Sequence, residues 1–322
     1  MTGATGLIGR NLIKKLLSDG HNITALVRKT SNVSSFKGLN NLTLAYGNIL
    51  DKESLKNSMV DCKVVYHLAA AVNVSEKQKR KMYALNVKGT ENVLNAAIES
   101  KVKRFIYAST IAIYGKVNNE KITLIEENYP PHPISNYAKT KFMGENLVKD
   151  LCSKNKMDYV VLRPSKVYGP GDNSLLPLLK LAKKGLSFTI GKGDGITMPV
   201  YSTDVAEAFY LALNKKNKTY IIAGPDAMTK RKFVEALSKA LKKNPRKLKL
   251  PAKPILLLAR IVESTASILN INLPLSQKLN FFLASRLYSI DKAKKELGYY
   301  PKVGIDLMIK KTLDYYKEES LI

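Results

Sequence analysis

Short apolar runs alternate with longer helical patterns through the first half of this 322-residue chain. The runs are nearly continuous in apolar residues, which is typical of strands buried on both faces of a parallel sheet. Helices between such strands form right-handed crossovers, so the alternation predicts an α/β fold with a doubly wound parallel sheet. The predicted strands are Ile23–Val27, Leu42–Tyr46, Val64–Leu68, Phe105–Ala108, Tyr159–Leu162 and Tyr220–Ala223, and the predicted helices are Leu7–Ser18, Ser54–Val60, Gln78–Glu99 and Asn136–Ser153.

The sequence changes after Pro164, where loops rich in glycine and proline precede further helical patterns. We predict a first domain over residues 1–165 and a smaller, mostly helical substrate-binding lobe over residues 166–322, with residues 203–224 returning to the sheet. In doubly wound folds the ligand binds at the carboxyl edge of the sheet, where this lobe would pack. The helices predicted here are Thr203–Leu213, Thr229–Leu241, Pro254–Ile268, Lys292–Leu297 and Ile305–Tyr316.

A glycine-rich turn opens the chain, with Gly3, Gly6 and Gly9 at its start. This spacing allows a tight turn, close approach of the backbone to a pyrophosphate, and a following helix whose amino end faces the phosphates. Glycine-rich turns are common, so the motif alone is a weak signal. It predicts a Rossmann-type dinucleotide site formed by Gly3, Thr5, Gly6, Leu7, Ile8 and Gly9.

Only Met1 precedes Thr2, although this motif normally follows a strand. The first strand is therefore expected either to lie upstream of the given start or to be missing from the sheet. Loss of a central strand leaves two neighbours with unpaired backbone groups, which is costly in a buried sheet. We therefore predict a misassigned start, which sequencing of the native amino terminus would test.

Two basic residues, Arg28 and Lys29, follow the strand Ile23–Val27. An acid at this place would bind a ribose 2′-hydroxyl and imply NAD, whereas arginine or lysine pairs with a 2′-phosphate. NADP is therefore favoured over NAD. The alternative is that both residues are solvated charges in a basic protein.

Tyr137 and Lys141 are four residues apart at the start of a predicted helix and so share one face. Tyrosine has an ordinary pKa of about 10, and a neighbouring ammonium would lower it. Such a pair can exchange a proton with an alcohol or carbonyl while a nicotinamide exchanges hydride. In a chain with 17 tyrosines the spacing also arises by chance, on a solvated helix face.

These motifs occur in one order, each at a strand end or on the helix facing it. They are the glycine turn, His67-Leu68-Ala69-Ala70, Asn86-Val87-Lys88-Gly89-Thr90, Ser109-Thr110, Tyr137 with Lys141, and Arg163-Pro164. The combination resembles the extended short-chain dehydrogenase/reductases, the NAD(P)-dependent epimerase/dehydratase superfamily. The resemblance runs from Thr2 to Pro301, and it implies that residues 1–165 bind NAD(P).

The resemblance also implies roles for individual residues. Tyr137 would be the general acid/base, and Lys141 would hold the nicotinamide ribose and tune Tyr137. Thr110 would bind the substrate oxygen, with Ser109 as the alternative for that role. The remaining cofactor-binding residues would be Arg28, Asn48, Ile49, Leu68, Ala69, Ala70 and Pro164, beside the glycine turn.

Three positions depart from the family pattern. Asn48 replaces the acid usually found near the adenine, and Lys166 lies in a turn where nucleotide-sugar enzymes usually carry asparagine. Thr197 lies near the place where those enzymes have an arginine that clamps the sugar-nucleotide diphosphate. Loss of a bidentate clamp disfavours a nucleotide sugar, although Lys166 could act as a point charge. The pattern around Arg28 and the apolar last lobe resemble the dihydroflavonol-reductase and hydroxysteroid-dehydrogenase branch.

Three functions follow, in order of preference. The first is an NADP-dependent oxidoreductase acting on a carbonyl or secondary alcohol. The second is a nucleotide-sugar epimerase or dehydratase with a tightly bound cofactor. The third is a non-catalytic protein that senses NADP or binds anionic surfaces. The intact Tyr137 and Lys141 pair disfavours the third.

The formal net charge is +27, from 53 basic and 26 acidic residues, and Lys215–Lys253 alone carries 13 basic and 2 acidic residues. This charge indicates either an anion-binding surface or surface positions that have drifted to lysine. We favour drift, because the lysines are spread through helical patterns without interleaved aromatics. No specific nucleic-acid partner is expected, although weak binding to anionic surfaces stays open.

The two cysteines, Cys62 and Cys152, are far apart and in no metal-ligand spacing. They exclude a disulfide scaffold and a zinc module, so no metal is expected. Without a membrane-length apolar run or a signal peptide, we expect a cytoplasmic protein. The run Ile255–Val262 is expected in the lobe core rather than at a membrane.

A homodimer is a further expectation, because family members pair the two long helices that correspond to Gln78–Glu99 and Asn136–Ser153. The apolar residues that could form this contact, or could instead face the sheet, are Val87, Val93, Leu94, Phe142, Leu147 and Leu151.

Overall fold

Six parallel strands form the sheet of this computed structural model, which describes residues 1–72, 79–115, 123–268, 271, 275, 279 and 285–322. The outer strands on one side are β1 (Ile23–Val27) and β2 (Leu42–Tyr46). The other four strands are ordered β3, β4, β6 and β11. Their bounds are Val64–His67, Arg104–Ala108, Asp158–Pro164 and Lys218–Ile222.

The Met1–Thr2 pair lies between β1 and β3, where the sequence analysis finds no room for a strand. Thr2 forms parallel bridges to Leu26 and to His67. Leu26 N donates to Met1 O at 2.8 Å, and Thr2 N donates to Tyr66 O at 2.9 Å. The Met1 ammonium donates to Thr24 O at 2.6 Å, and burial lowers its pKa to about 6. Two residues thus connect the two halves of the sheet into the predicted doubly wound order.

Helices cover both faces of the sheet. On one face α1 (Leu7–Ser18) packs against α7 (Ser202–Leu211). The other face carries α2 (Lys52–Ser58), α4 (Gly89–Glu99) and α5 (Asn136–Lys154). Adjacent residues of β4 point to opposite faces of the sheet. Ile106 therefore packs in the core on the side of α1 and α7, and Phe105 packs in the core on the side of α2, α4 and α5.

The helix predicted over Gln78–Glu99 is interrupted, which corrects that expectation. Gln78 lies outside the described residues, α3 covers Lys79–Tyr83, and a π-helical turn over Ala84–Lys88 leads into α4. The wider turn directs the Asn86 amide toward the neighbouring loop and α5. Such π turns inside helices often occur at functional sites.

Three of the proposed dimer contacts are core residues of the single chain. Val87 is buried in the π-helical turn, and α4 directs Val93 and Leu94 into the core beneath the sheet. Phe142, Leu147 and Leu151 are only partly buried. Dimerisation stays a prediction, and burial within the single chain removes Val87, Val93 and Leu94 from its proposed apolar contacts.

Short strand pairs that were not predicted from the sequence lie in the lobe and, for β5 with β14, between the first domain and the lobe. The pairs are β5 with β14, β7 with β10, β9 with β12, and β8 with β13. Their strands are β5 (Leu124–Ile125), β7 (Val167–Tyr168), β8 (Leu186–Ile190), β9 (Ile196–Thr197), β10 (Val200–Tyr201), β12 (Met228–Thr229), β13 (Arg246–Leu250) and β14 (Leu287–Tyr288).

The helices of the lobe surround a separate apolar cluster. It is formed by α6 (Leu176–Lys183), α8 (Lys230–Ala240) and α10 (Ile305–Glu318). A π-helical turn over Ala293–Leu297 packs instead on the sheet core. Ribbons between these helices hold the lobe against the carboxyl edge of the sheet.

Helix α9 (Ala252–Ile268) corrects the expectation that its apolar run lies in the core. It buries Ala259, whereas Leu257 and Leu258 are 60% exposed. The leucines of the run therefore lie on the outer side of the helix. No helix in the described part of the chain is long and apolar enough to cross a membrane.

Candidate active site

Helix α5 carries a stripe of polar residues at intervals of four: Tyr137, Lys141, Glu145 and Lys149. Residues at this spacing lie on one face of a helix. Ser135 caps the amino end by accepting a hydrogen bond from Ala138 N at 3.1 Å. The stripe faces the carboxyl end of the sheet, so the sequence-predicted pair is in place there.

Thr110 lies beside Tyr137, as the sequence analysis expects. It follows β4, and its Oγ1 accepts from Ala112 N at 3.2 Å at the start of the turn Ile111–Tyr114. Burial raises the pKa of Tyr137, and a hydrogen bond with the Thr110 side chain opposes that rise. The net shift of the Tyr137 pKa is therefore upward, opposite to the lowering expected from the Lys141 charge, because burial dominates.

Lys141 is 2% exposed. Its Nζ lies 4.1 Å from the centroid of the Tyr107 ring, a cation–π contact. Burial lowers the pKa of Lys141 to about 7, and the Glu145 carboxylate opposes the change. The ammonium is therefore held in an apolar pocket beneath the cleft, poised between its charged and neutral forms.

A buried carboxylate network anchors α5 to the sheet, and the sequence analysis missed it. Arg163 binds Glu145 in a bidentate manner, with Nη2–Oε1 at 2.5 Å and Nε–Oε2 at 3.2 Å. Lys149 Nζ contacts Oε1 at 2.7 Å, and Ser109 Oγ donates to Oε2 at 2.6 Å. Arg163 Nη1 also donates to the Tyr114 hydroxyl at 2.6 Å.

This network distinguishes Ser109 from Thr110, whose hydroxyls are alternatives in the sequence analysis for binding the substrate oxygen. The Ser109 hydroxyl is bonded to Glu145, whereas the Thr110 side chain is next to Tyr137. The neighbouring Arg163 and Lys149 hold the pKa of Glu145 below its usual range despite burial. In the sequence, this carboxylate network is indicated only by the position of Glu145, four residues after Lys141.

Asn86 ties the end of β3 to α5. Its Oδ1 accepts from Ala71 N at 2.7 Å, and its Nδ2 donates to Ala71 O at 3.0 Å and to Thr140 Oγ1 at 3.1 Å. Gly144 makes this approach possible, because a Cβ there would lie 2.4 Å from the Tyr107 hydroxyl and 2.9 Å from Asn86 O. In this structure Asn86 therefore positions the backbone on both sides of the cleft.

His67 is fully buried between two threonines. Thr90 Oγ1 donates to Asn86 O at 2.8 Å, so it accepts from His67 Nε2–H at 2.9 Å. Nδ1 then carries no proton and accepts from Thr2 Oγ1 at 2.7 Å. Burial lowers the pKa of His67 to about 3, and the Lys141 charge adds to that shift. His67 is a neutral structural residue here.

The glycine turn forms an open helix amino terminus. Gly3 has φ +70°, and a Cβ on it would lie 2.6 Å from Ala69 N and from Leu68 C, so this turn touches the end of β3. A Cβ on Gly9 would lie 2.3 Å from Gly3 O. Gly6 precedes α1, with no side chain capping it, so the first N–H groups of α1, which include those of Leu7 and Ile8, face outward from the end of the sheet.

The other predicted cofactor residues lie along the same edge. Arg28 is exposed after β1, Ala69 and Ala70 follow β3, and Pro164 ends β6. Asn48 Oδ1 already accepts from Leu50 N at 3.1 Å, and Ile49 is buried against Gly89. A nicotinamide dinucleotide fits along this edge of the sheet. The edge carries a helix amino terminus without a cap, basic residues at the end of the next strand, and the Tyr137 cluster.

Comparison with known proteins agrees with this geometry. A family model described as "NAD dependent epimerase/dehydratase family" matches residues 1–223. A sterol-4-alpha-carboxylate 3-dehydrogenase (decarboxylating) of Dictyostelium discoideum is 28% identical, covering 94% of this chain and 96% of its own. A putative UDP-glucose 4-epimerase of Methanocaldococcus jannaschii is 30% identical over 68% of this chain and 74% of its own.

The fold is shared with solved structures. The crystal structure of gox2253 superposes with a TM-score of 0.83 at 26% identity, covering 100% of this chain and 98% of that one. The predicted doubly wound fold and the family resemblance are both confirmed. The chain is an enzyme, and it belongs to the NAD-dependent epimerase/dehydratase family.

Proposed function

We propose that this enzyme is an NADP-preferring oxidoreductase that moves hydride between the nicotinamide and a carbonyl or secondary alcohol. One observation carries the proposal: the Tyr137 phenol lies beside the Thr110 side chain at the carboxyl edge of the sheet, one helical turn from buried Lys141. A proton donor and a hydrogen-bonding hydroxyl thus converge on the place where a substrate oxygen would bind.

The raised pKa of Tyr137 favours the protonated phenol at neutral pH. In the reducing direction Thr110 donates a hydrogen bond to the carbonyl oxygen, and Tyr137 donates its proton to that oxygen. A bound nicotinamide supplies hydride to the carbonyl carbon, or accepts it in the reverse direction. Lys141 lies in the next turn, where its charge assists the phenol in losing the proton and, as the family resemblance implies, holds the nicotinamide ribose.

The residues assigned to the cofactor are those along the sheet edge. The first N–H groups of α1 would bind the pyrophosphate, with Gly3 and Gly9 keeping the turn close to β3 and the helix. Arg28 is exposed at the end of β1, where a guanidinium can pair with a 2′-phosphate. This basic residue supports NADP over NAD.

A nucleotide-sugar epimerase is the second candidate. It is supported by the similarity to the putative UDP-glucose 4-epimerase. Thr197 is buried and cannot act as the missing arginine clamp, whereas Lys166 lies at the cleft and supplies one cation. In an epimerase, hydride is removed and returned, so free cofactor is not consumed.

Thermal shift with NADP(H), NAD(H) and UDP-glucose, followed by turnover assays with Tyr137→Phe, tests the proposal. We expect NADPH to stabilise the protein most and to be oxidised with carbonyl substrates. Tyr137→Phe should lower kcat by about 10²–10⁴-fold, because a positioned acid contributes that much, with cofactor affinity unchanged. Thr140→Ser, a conservative change on the same helix, is the control. Full activity of Tyr137→Phe, or stabilisation by UDP-glucose without cofactor consumption, would reject it.

A further inference from the structure

A small cavity adjoins the segments that carry the candidate catalytic groups. Its wall includes Ile111, the residue after Thr110, and Ser165, the residue after Pro164. The opposite wall comes from the lobe through Lys230 at the start of α8 and Tyr288 at the end of β14.

Three buried polar atoms on this wall have no hydrogen-bond partner in the described part of the chain: Ser165 Oγ, Arg286 Nε and the Tyr288 hydroxyl. Tyr288 is 4% exposed and Ser165 is 6% exposed, so bulk solvent does not reach these hydroxyls freely. Arg286 lies near the Tyr288 hydroxyl without the geometry of a hydrogen bond. Buried polar groups of this kind are rare unless a ligand, ion or water completes them.

The cavity is also cationic. Lys166, Lys230 and Arg286 line it, and no acidic side chain does so among the described residues. Arg286 Nη2 is held by Gly115 O at 2.5 Å, which fixes the guanidinium in place. Burial, with the nearby Arg286 charge, lowers the pKa of Lys230 to about 7. The side chains of the wall therefore favour an anionic group over a cationic one.

We propose that this cavity binds a carboxylate of the substrate, so that the enzyme acts on a hydroxy acid or an oxo acid whose reacting carbon faces Thr110 and Tyr137. The substrate class rests on the proposed oxidoreductase function. A carboxylate offers about four acceptor sites, which match the three unpartnered donors together with the cations of the wall. A phosphate group shares this oxyanion chemistry and is the alternative source.

Binding of unreactive probes tests the assignment without turnover. Isothermal titration would compare cyclohexanecarboxylate, its methyl ester, cyclohexyl phosphate and UDP-glucose, with the enzyme saturated in its preferred nicotinamide cofactor. We expect the acid to bind at least tenfold more tightly than the ester. Arg286→Gln should remove this preference, whereas Arg231→Gln, which changes an exposed arginine on α8, should keep it.

Equal binding of the acid and the ester, or an unchanged preference in Arg286→Gln, would overturn the proposal. Binding of the phosphate or of UDP-glucose tenfold more tightly than the acid would overturn it in favour of a phosphorylated substrate. Because no probe reacts, failure of the Tyr137 chemistry leaves these results unaffected. A carboxylate site without oxidoreductase activity would in turn reject only the proposed function.

Discussion

Two buried polar clusters lie on either side of Thr110, and they differ in how their atoms are paired. Beneath α5, the Glu145 carboxylate, the Arg163 guanidinium and the Ser109 hydroxyl bond to one another. On the lobe side, Ser165 and Tyr288 have hydroxyls without partners among the described residues. A fully paired cluster stabilises a fold, whereas an incomplete one marks a place for something that binds. We therefore assign the first cluster to structure and the second to substrate.

The largest effect is expected from Glu145→Gln. This change keeps the shape of the side chain but leaves the Arg163 guanidinium, 3% exposed, without its anion. Breaking a buried pair on one side costs about 3–5 kcal/mol of the free energy of unfolding. Urea denaturation at pH 7 measures it. The control is Glu91→Gln, in the exposed pair with Lys88, which should cost under about 1 kcal/mol. Similar losses in both variants would contradict the assignment.

Removing one tyrosine hydroxyl from each cluster should change the free energy of unfolding in opposite directions. Tyr114→Phe takes a hydrogen bond from Arg163, so we expect a loss of about 1–3 kcal/mol in the free energy of unfolding. Tyr288→Phe removes a buried hydroxyl without a partner, so the stability of the free protein should stay the same or rise by about 1 kcal/mol. Each variant is the matched control of the other. A clear loss in Tyr288→Phe would show that its hydroxyl is paired.

The effect that builds up most gradually concerns His67, a neutral residue whose ring nitrogens are both hydrogen-bonded. Its pKa is lowered to about 3 in the folded protein and is about 6.5 when unfolded. Below pH 6.5 the unfolded chain therefore binds a proton that the folded chain does not. The free energy of unfolding should fall by about 1.4 kcal/mol per pH unit as pH drops from 6.5 toward 3.

NMR of the His67 ring between pH 7.5 and 5.5 tests this assignment, because the Met1 ammonium and the amines of Lys141 and Lys230, whose pKa values are lowered to about 6, 7 and 7, also change the free energy of unfolding in this window. We expect no titration of that ring over this range in the folded protein. Glu145, whose lowered pKa gives stability that is lost only as pH falls below its unfolded value of about 4.3, does not contribute in this window. A His67 ring that titrates near pH 6.5 would contradict the neutral assignment.

The sequence was sufficient for the sheet and for most helices that cover it. Apolar runs predicted β1 and β2 with their observed bounds, although only β1 is largely buried and β2 is partly exposed. The ribbon strands of two residues, such as β9 and β12, were missed because so short a segment has no period to detect. The π turn at Asn86 was missed because a helix that widens keeps its hydrophobic pattern.

The site was only partly predictable for a different reason. The spacing of Tyr137 and Lys141 places them on one face, and the order of motifs placed Thr110 nearby. Which of Ser109 and Thr110 faces Tyr137 depends on Glu145, a contact across 36 positions of sequence. The direction of the pKa shift of Tyr137 depends on burial in the finished fold, so the charge of Lys141 alone gave the wrong sign.

Helix α5 is anchored to the sheet about two turns after Tyr137. Glu145 lies eight residues after Tyr137, about 12 Å along the axis, and its salt bridge prevents the helix from sliding or rotating. Gly144 packs closely against Tyr107 and Asn86, which leaves little room for α5 to tilt. The reactive group is thus aimed before any substrate arrives. Any motion that accompanies a catalytic cycle is accordingly expected in the lobe rather than in α5.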